Sequence, residues 1–142
     1  MSLTMRQEHL TIVSRLDLVS RVQRWFGEIC QSLDDESAWV AMYTDRLMLA
    51  LTEGFTNAVR HAHAKLPPET DINIDVEVEP NRVEIRIWDH GAPFNPELLP
   101  EPEPGELLES GYGRVLLRRL ADEVTYERVQ ERNCLSIVQY DS

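Results

Sequence analysis

"DINIDVEVEPNRVEIRIWDHG", residues 71–91, alternates apolar and polar positions on both sides of a short break. Ile72, Ile74, Val76 and Val78 take every second place in the first half, and Val83, Ile85 and Ile87 do so in the second. Successive side chains of a strand point to opposite faces, so each half reads as a strand with one apolar face. "EPNR", residues 79–82, separates the halves and predicts a β-hairpin with one buried face.

Upstream of the hairpin the periodicity changes. "HLTIVSRL", residues 9–16, suits a short first strand, and Asp17 is placed to cap a following helix. In that helix Val19, Val22, Phe26, Ile29 and Leu33 recur at steps of three and four, the mark of one buried face. "DDESAW" breaks it, and a second helix is expected from about Thr44 to Ala64, ended by "KLPPET".

Downstream, residues 93–109 carry Pro93, Pro96, Pro100, Pro102 and Pro104 and five glutamates, which predicts an extended loop. A loop of that length inside a small domain is functional or disordered. "GYGRVLLRRLA" reads as a glycine turn feeding a short helix, and "DEVTYERV" and "NCLSIVQY" as two closing strands. Strands paired as hairpins, with helices grouped apart, define an α+β two-layer sandwich. The regular strand–helix alternation of a Rossmann arrangement is missing.

At 142 residues the chain suits one domain, residues 1–142. Its net charge of −11 repels nucleic-acid phosphates and favours docking onto a basic partner surface. No apolar run reaches the roughly 18 residues of a membrane span. The polar start "MSLTMRQEHL" carries no signal-peptide pattern, so a cytoplasmic location is expected. Cys30 and Cys134 lack metal-type spacing and are expected as free thiols, with a disulfide left open.

Three polar patterns then stand out. On the second helix, Leu47, Leu51, Gly54, Phe55, Ala58, Val59 and Ala62 share one apolar sector. Asn57 and His61 sit at its border and Glu53 just beyond. A carboxamide oxygen there suits Mg²⁺, and a carboxylate suits a general base. His61 and His63, two apart on a helix, diverge too far to share a metal. At the end of the hairpin, Asp89 can accept from an amino group in a pocket, and Gly91 lets backbone approach a flat ligand. Before the last helix, Gly111 and Gly113 can expose N–H groups to an anion, and Arg114 can add charge or face solvent or a partner. Taken singly, each pattern also fits an ordinary helix border or turn.

Their order along the chain resembles the GHKL ATPase superfamily, and in it the small RsbW-type anti-sigma factor serine kinases. "LTEGFTNAVRHA" looks like their N box, "WDHGAPFNP" their first glycine box and "GYGRVLLRRLADEVTYER" their second. The resemblance implies a Bergerat-type fold, a mixed and mostly antiparallel sheet with helices on one face. It implies ATP and Mg²⁺ as cofactors, with Glu53 as the base activating a serine hydroxyl and Asn57 on the metal. Asp89 would accept from the adenine amino group, with Gly91 beside the ring and His61 near the phosphates. Gly111, Gly113 and Arg114 would lie at the end of a lid spanning about residues 92–110. The implied partners are a sigma factor, held inactive, and an anti-anti-sigma (STAS-type) protein that is phosphorylated, with the kinase itself a homodimer. Arg114 stands where the family is usually apolar, and Cys134 is expected where the last strand often offers a small hydroxyl. The alternative is a regulatory module of the same fold that binds nucleotide or docks on a partner without transfer.

Overall fold

The computed structural model describes residues 5–93 and 119–141. The hairpin forms as its alternation requires: β2 (Asp71–Glu79) pairs antiparallel with β3 (Arg82–Asp89), with Ile74 opposite Ile87 and Val76 opposite Ile85. The first strand, β1 (Arg6–Val13), lies antiparallel to β2 and starts earlier than expected. One further bond in register, Ser14 N–H to the Thr70 carbonyl (3.0 Å), follows Val13 before Arg15 N–H turns back to the Val13 carbonyl (2.9 Å). The closing hairpin, β4 (Glu123–Val129) and β5 (Arg132–Tyr140), joins through β5 to β3. The strand order is β1-β2-β3-β5-β4, and every pairing among the described residues is antiparallel. The mixed character expected of the sheet therefore has no parallel pair behind it in these residues.

Among the described residues, two full helices cover one face. Helix α1 (Val19–Gln31) buries Val22, Phe26 and Ile29, and α2 (Thr44–Asn57) buries Leu47, Ala50, Leu51, Gly54 and Phe55. They close over Ile72, Ile74, Val76, Val83, Ile85, Ile87 and Ile137, a two-layer α+β sandwich. The opposite face is polar and cross-linked: His9 to Asp75 (2.6 Å), Trp88 Nε1 to Asp75 (3.0 Å), and Arg86 to Glu84 (2.8 Å). Among the described residues no helix is long and apolar enough to cross a membrane. Cys30 and Cys134 are free thiols, and burial pushes both up from the ordinary thiol value.

Two local expectations are corrected, and the break after the first helix, which forms where expected, is given its shape. Asp17 does not cap α1; it sits inside a 3-10 turn, Leu16–Leu18, and its carboxylate pairs with Arg15 (2.6 Å). The break after α1 is itself a 3-10 stretch, Asp35–Tyr43, begun by Asp34 accepting from Ser37 N–H (3.1 Å). The second helix does not run as an α-helix to Ala64: after Asn57 it widens into a π turn, Ala58–Ala62, closed by His63 N–H on the Ala58 carbonyl (2.8 Å).

Two glycines let this helical segment lie against the sheet. A Cβ on Gly54 would collide with Ile87 Cδ1 and come within 2.9 Å of Leu135 Cδ2. On Gly91 it would lie 2.5 Å from the Ala62 carbonyl oxygen and 2.9 Å from Ala62 Cβ. At Gly54 the opposing atoms are side-chain ends that can rotate, and alanine recovers about 1 kcal/mol of helix propensity. At Gly91 the opposing atoms are the Ala62 carbonyl, which is backbone, and its Cβ, which cannot rotate away. Gly91→Ala is therefore expected to cost about 1–3 kcal/mol, as overpacking does, and Gly54→Ala less. Urea denaturation of both variants checks this; an equal or reversed order contradicts it.

Candidate functional site

The close approach of α2 and its π turn to the β3–β5 end of the sheet leaves a cleft of about 590 Å³. That lies in the range of small-molecule sites. One wall is helical, with Gly54, Asn57, Ala58, His61, Ala62 and Lys65; the other is the end of β3, with Asp89, His90 and Gly91. Ile87 and Leu135 line it from the sheet, and Tyr126 and Asn133 enter from β4 and β5. The apolar core thus continues into the cleft and ends at a polar rim, a shape suited to a flat ring carrying a charged tail.

The rim carboxylate is held in place. Asp89 Oδ1 accepts from Gly91 N–H (2.8 Å) and from Asn133 Nδ2 (2.9 Å). Asn133, only 6% exposed, also donates to the Ala92 carbonyl (2.9 Å) and accepts from Arg128 Nη1 (3.1 Å). Arg128 Nη1 reaches the Gly91 carbonyl as well (2.8 Å). The cross-strand pair Arg128–Asn133 thereby braces the turn after β3. Both bonds to Asp89 fall on Oδ1, and no donor among the described residues reaches Oδ2. That oxygen can accept from a ligand amino group.

On the helical wall, Asn57 and His61 are one turn apart and both line the cleft. Glu53 does not: it lies half-buried on α2 and is absent from the cleft lining, and its backbone carbonyl accepts from Thr56 Oγ1 (3.1 Å). Gly111, Gly113, Arg114 and nearly all of the expected lid lie outside the described residues; Ala92 and Pro93 border the cleft. Cys134 is not at the cleft. It pairs with Trp88, and the residues whose side chains share the cleft side of β5 are Asn133 and Leu135. Strand alternation places Cys134 and Ser136 on the far face; they lie 3.8 Å apart there.

Sequence reasoning missed Asn133, Arg128 and His63. A polar residue next to an apolar strand pattern gave the only hint of Asn133. His63 was expected to diverge from His61 on a regular helix, and the π turn instead sets it behind the cleft wall. It is 3% exposed there, and its Nε2 accepts from His90 N–H (2.8 Å). Among the described residues, no group of three or more His, Cys, Asp or Glu side chains is arranged to hold a metal.

An antiparallel sheet covered on one face, with a cleft between its second helix and a strand-end Asp-x-Gly, is the architecture of an ATPase domain of the histidine-kinase type. The sequence pattern of the histidine kinase-like ATPase domain matches residues 12–139. The chain is also 34% identical over 120 residues to serine-protein kinase RsbW of Oceanobacillus iheyensis, covering 79% of this chain and 68% of that one. It is 33% identical over 100 residues to serine-protein kinase RsbW of Staphylococcus epidermidis, covering 65% of this chain and 62% of that relative, less than two thirds of its length. Its fold matches the crystal structure of the RsbU and RsbW domains of a Mycobacterium tuberculosis protein with a TM-score of 0.64 at 14% identity, over 94% of this chain and 32% of that one. The chain belongs to the histidine kinase-like ATPase family, in its RsbW-type branch.

Removing the brace tests its place in the site. Asn133→Ala leaves buried acceptors of the Asp89 turn without their donor, a loss of about 1–3 kcal/mol. Thermal or urea denaturation is expected to show it, and a variant as stable as the parent would mean the brace carries no weight.

Proposed function

We propose that the chain is an anti-sigma factor with ATP-dependent serine/threonine kinase activity. It sequesters a sigma factor and phosphorylates a serine of an anti-anti-sigma protein. The observation that supports this most is a braced carboxylate at the end of β3 facing Asn57 and His61 across one cleft. Membership of the RsbW-type branch supplies the reaction class, since its relatives are serine-protein kinases by name.

The residues divide the work by chemistry. Asp89 accepts from the adenine amino group, and Gly91, which has no room for a side chain, keeps backbone next to the ring. Ile87 and Leu135 exclude water beneath it. His61 and Lys65, on the opposite wall, face the phosphates. Gly111, Gly113 and Arg114, outside the described residues, would by the family resemblance serve the phosphates from the end of the lid. Asn57 fits Mg²⁺, which favours oxygen ligands, keeps several waters and shares substrate phosphates. When bound, the metal neutralises charge on the phosphates. Phosphoryl transfer is mainly positioning and charge stabilisation, so the protein needs little more than one base. Glu53 takes that role, receiving the proton of the serine hydroxyl.

Glu53 stands off the cleft lining, and that observation favours the second reading, a nucleotide-binding regulator without transfer. Two variants separate them. Glu53→Gln is expected to slow phosphorylation of an anti-anti-sigma protein by about 10²–10⁴-fold, the usual worth of a general base, while calorimetry still detects ATP binding. Asn57→Ala is expected to remove the Mg²⁺-dependent part of that binding. Mass spectrometry finding no phosphoserine on any STAS-type protein of the same organism, with ATP bound normally, would select the second reading. No ATP binding at all would overturn both.

A further inference from the structure

His63 is buried behind the cleft lining, and it ties the two cleft walls together. It closes the π turn through its own N–H on the Ala58 carbonyl (2.8 Å). Its ring reaches across to the sheet, where Nε2 accepts from the backbone N–H of His90 (2.8 Å). The two imidazoles stack with centroids 6.1 Å apart. His90 lies between Asp89 and Gly91, so the ring holds the middle of the turn whose ends are braced by Asn133 and Arg128.

A neutral imidazole has one nitrogen that accepts and one that donates. Since Nε2 accepts, the proton of the neutral ring is on Nδ1, which is buried and has no partner among the described residues. Adding a second proton turns Nε2 into a donor pointed at another donor. The bond to His90 is then lost, and a charge is placed at a site only 3% exposed.

We propose that His63 is a positioning residue for the nucleotide, holding the Asp89–Gly91 turn in its binding shape only while its ring is neutral. This rests on reading the cleft as a nucleotide site. The charged and titratable groups that act on the ring are Asp89 and His90 at the end of β3; its own segment also carries Arg60, His61 and Lys65, and Arg128 stands at the Gly91 carbonyl. Burial disfavours the charged ring most, Asp89 favours it, and His90 opposes it; the net effect holds His63 below the ordinary histidine value. A closed turn therefore binds the proton more weakly than an open one, in which the ring titrates near its usual value of about 6.5. As pH falls below that value the open form gains, and nucleotide affinity falls with it. Above it, the closed form is fully favoured.

Two measurements test this. The first needs no nucleotide: the protection of the His90 amide against hydrogen exchange, followed by NMR in the full chain. Protection is expected to drop about tenfold between about pH 7 and pH 5, while amides in the middle of β3 keep theirs. Unchanged protection at His90 would overturn the proposal. The second is the affinity for ATP with Mg²⁺ over the same range, for the parent protein and His63→Gln. Glutamine keeps an acceptor near the place of Nε2 and does not titrate. The ratio of affinities at the two pH values is expected to be about fivefold larger for the parent than for the variant, and titration of ATP itself cancels in that comparison. Equal ratios would overturn the proposal. Failure of the parent to bind ATP at neutral pH would instead remove the nucleotide reading, leaving the His90 measurement to judge the latch alone.

Discussion

The contact on which the rest depends is the approach of the α2 segment to the end of the sheet. At Gly54 and Gly91 no Cβ fits between the layers. Side chains elsewhere hold helix and sheet apart at ordinary packing distance; at these two points they do not. The segment therefore lies close at Gly54 and again at Ala62, with the cleft opening between these contacts. Its floor is made of side chains, Ile87 and Leu135, that belong to the core cluster and line the cleft at once. Stability and binding share atoms here. Changes to the floor act on both, whereas changes at the rim, such as at His61, leave the core untouched.

The π turn follows from the same constraint. A regular helix continued past Asn57 would keep its residues on the 100° spacing. Five residues at that spacing set His63 roughly 140° round from Ala58, on the solvent side. The wider turn brings His63 back under the wall, where it meets His90, and leaves His61 at the cleft. Single π turns inside helices recur at functional sites for this reason: one extra residue re-aims those that follow.

The strands were legible because alternation is a strong local signal and one face of the sheet is buried. Ile72 through Val78 and Val83 through Ile87 are buried as their period requires. The apolar sector of α2 was legible too, from Leu47 to Ala58. Beyond Ala58 the reading failed, since Val59 and Ala62 are only half-buried and His63 is buried instead. Nothing in the local sequence announces a π turn; it depends on Gly91 and His90, about thirty residues away. Asp89, Gly91, Asn57 and His61 were found by pattern and meet at the cleft. Asn133 and Arg128 were not, because their value comes from a cross-strand register that no local pattern encodes. Cys134 was assigned to the cleft by analogy, and a one-residue error in a strand is enough to send a side chain to the opposite face.

Charge is the last piece of the argument. A chain of net charge −11 has to admit a ligand that is itself strongly anionic. Over more than about 8 Å, salt at physiological strength screens most of that repulsion. What decides is the set of groups within that distance. Among the described residues lining the cleft, Asp89 is the single carboxylate, and Oδ1 of that carboxylate is already occupied by Gly91 N–H and Asn133. The helical wall opposite brings Lys65, His61 and the neutral carboxamide of Asn57. The cleft is therefore polarised from wall to wall, acidic at the end of β3 and neutral to basic on the helical side. Other described carboxylates stand apart from it: Asp75, Glu77 and Glu84 lie on the far face of the sheet, where arginine and histidine partners hold them. A protein can be acidic as a whole and still offer an anion a local welcome, provided the sheet separates the two sets of charges.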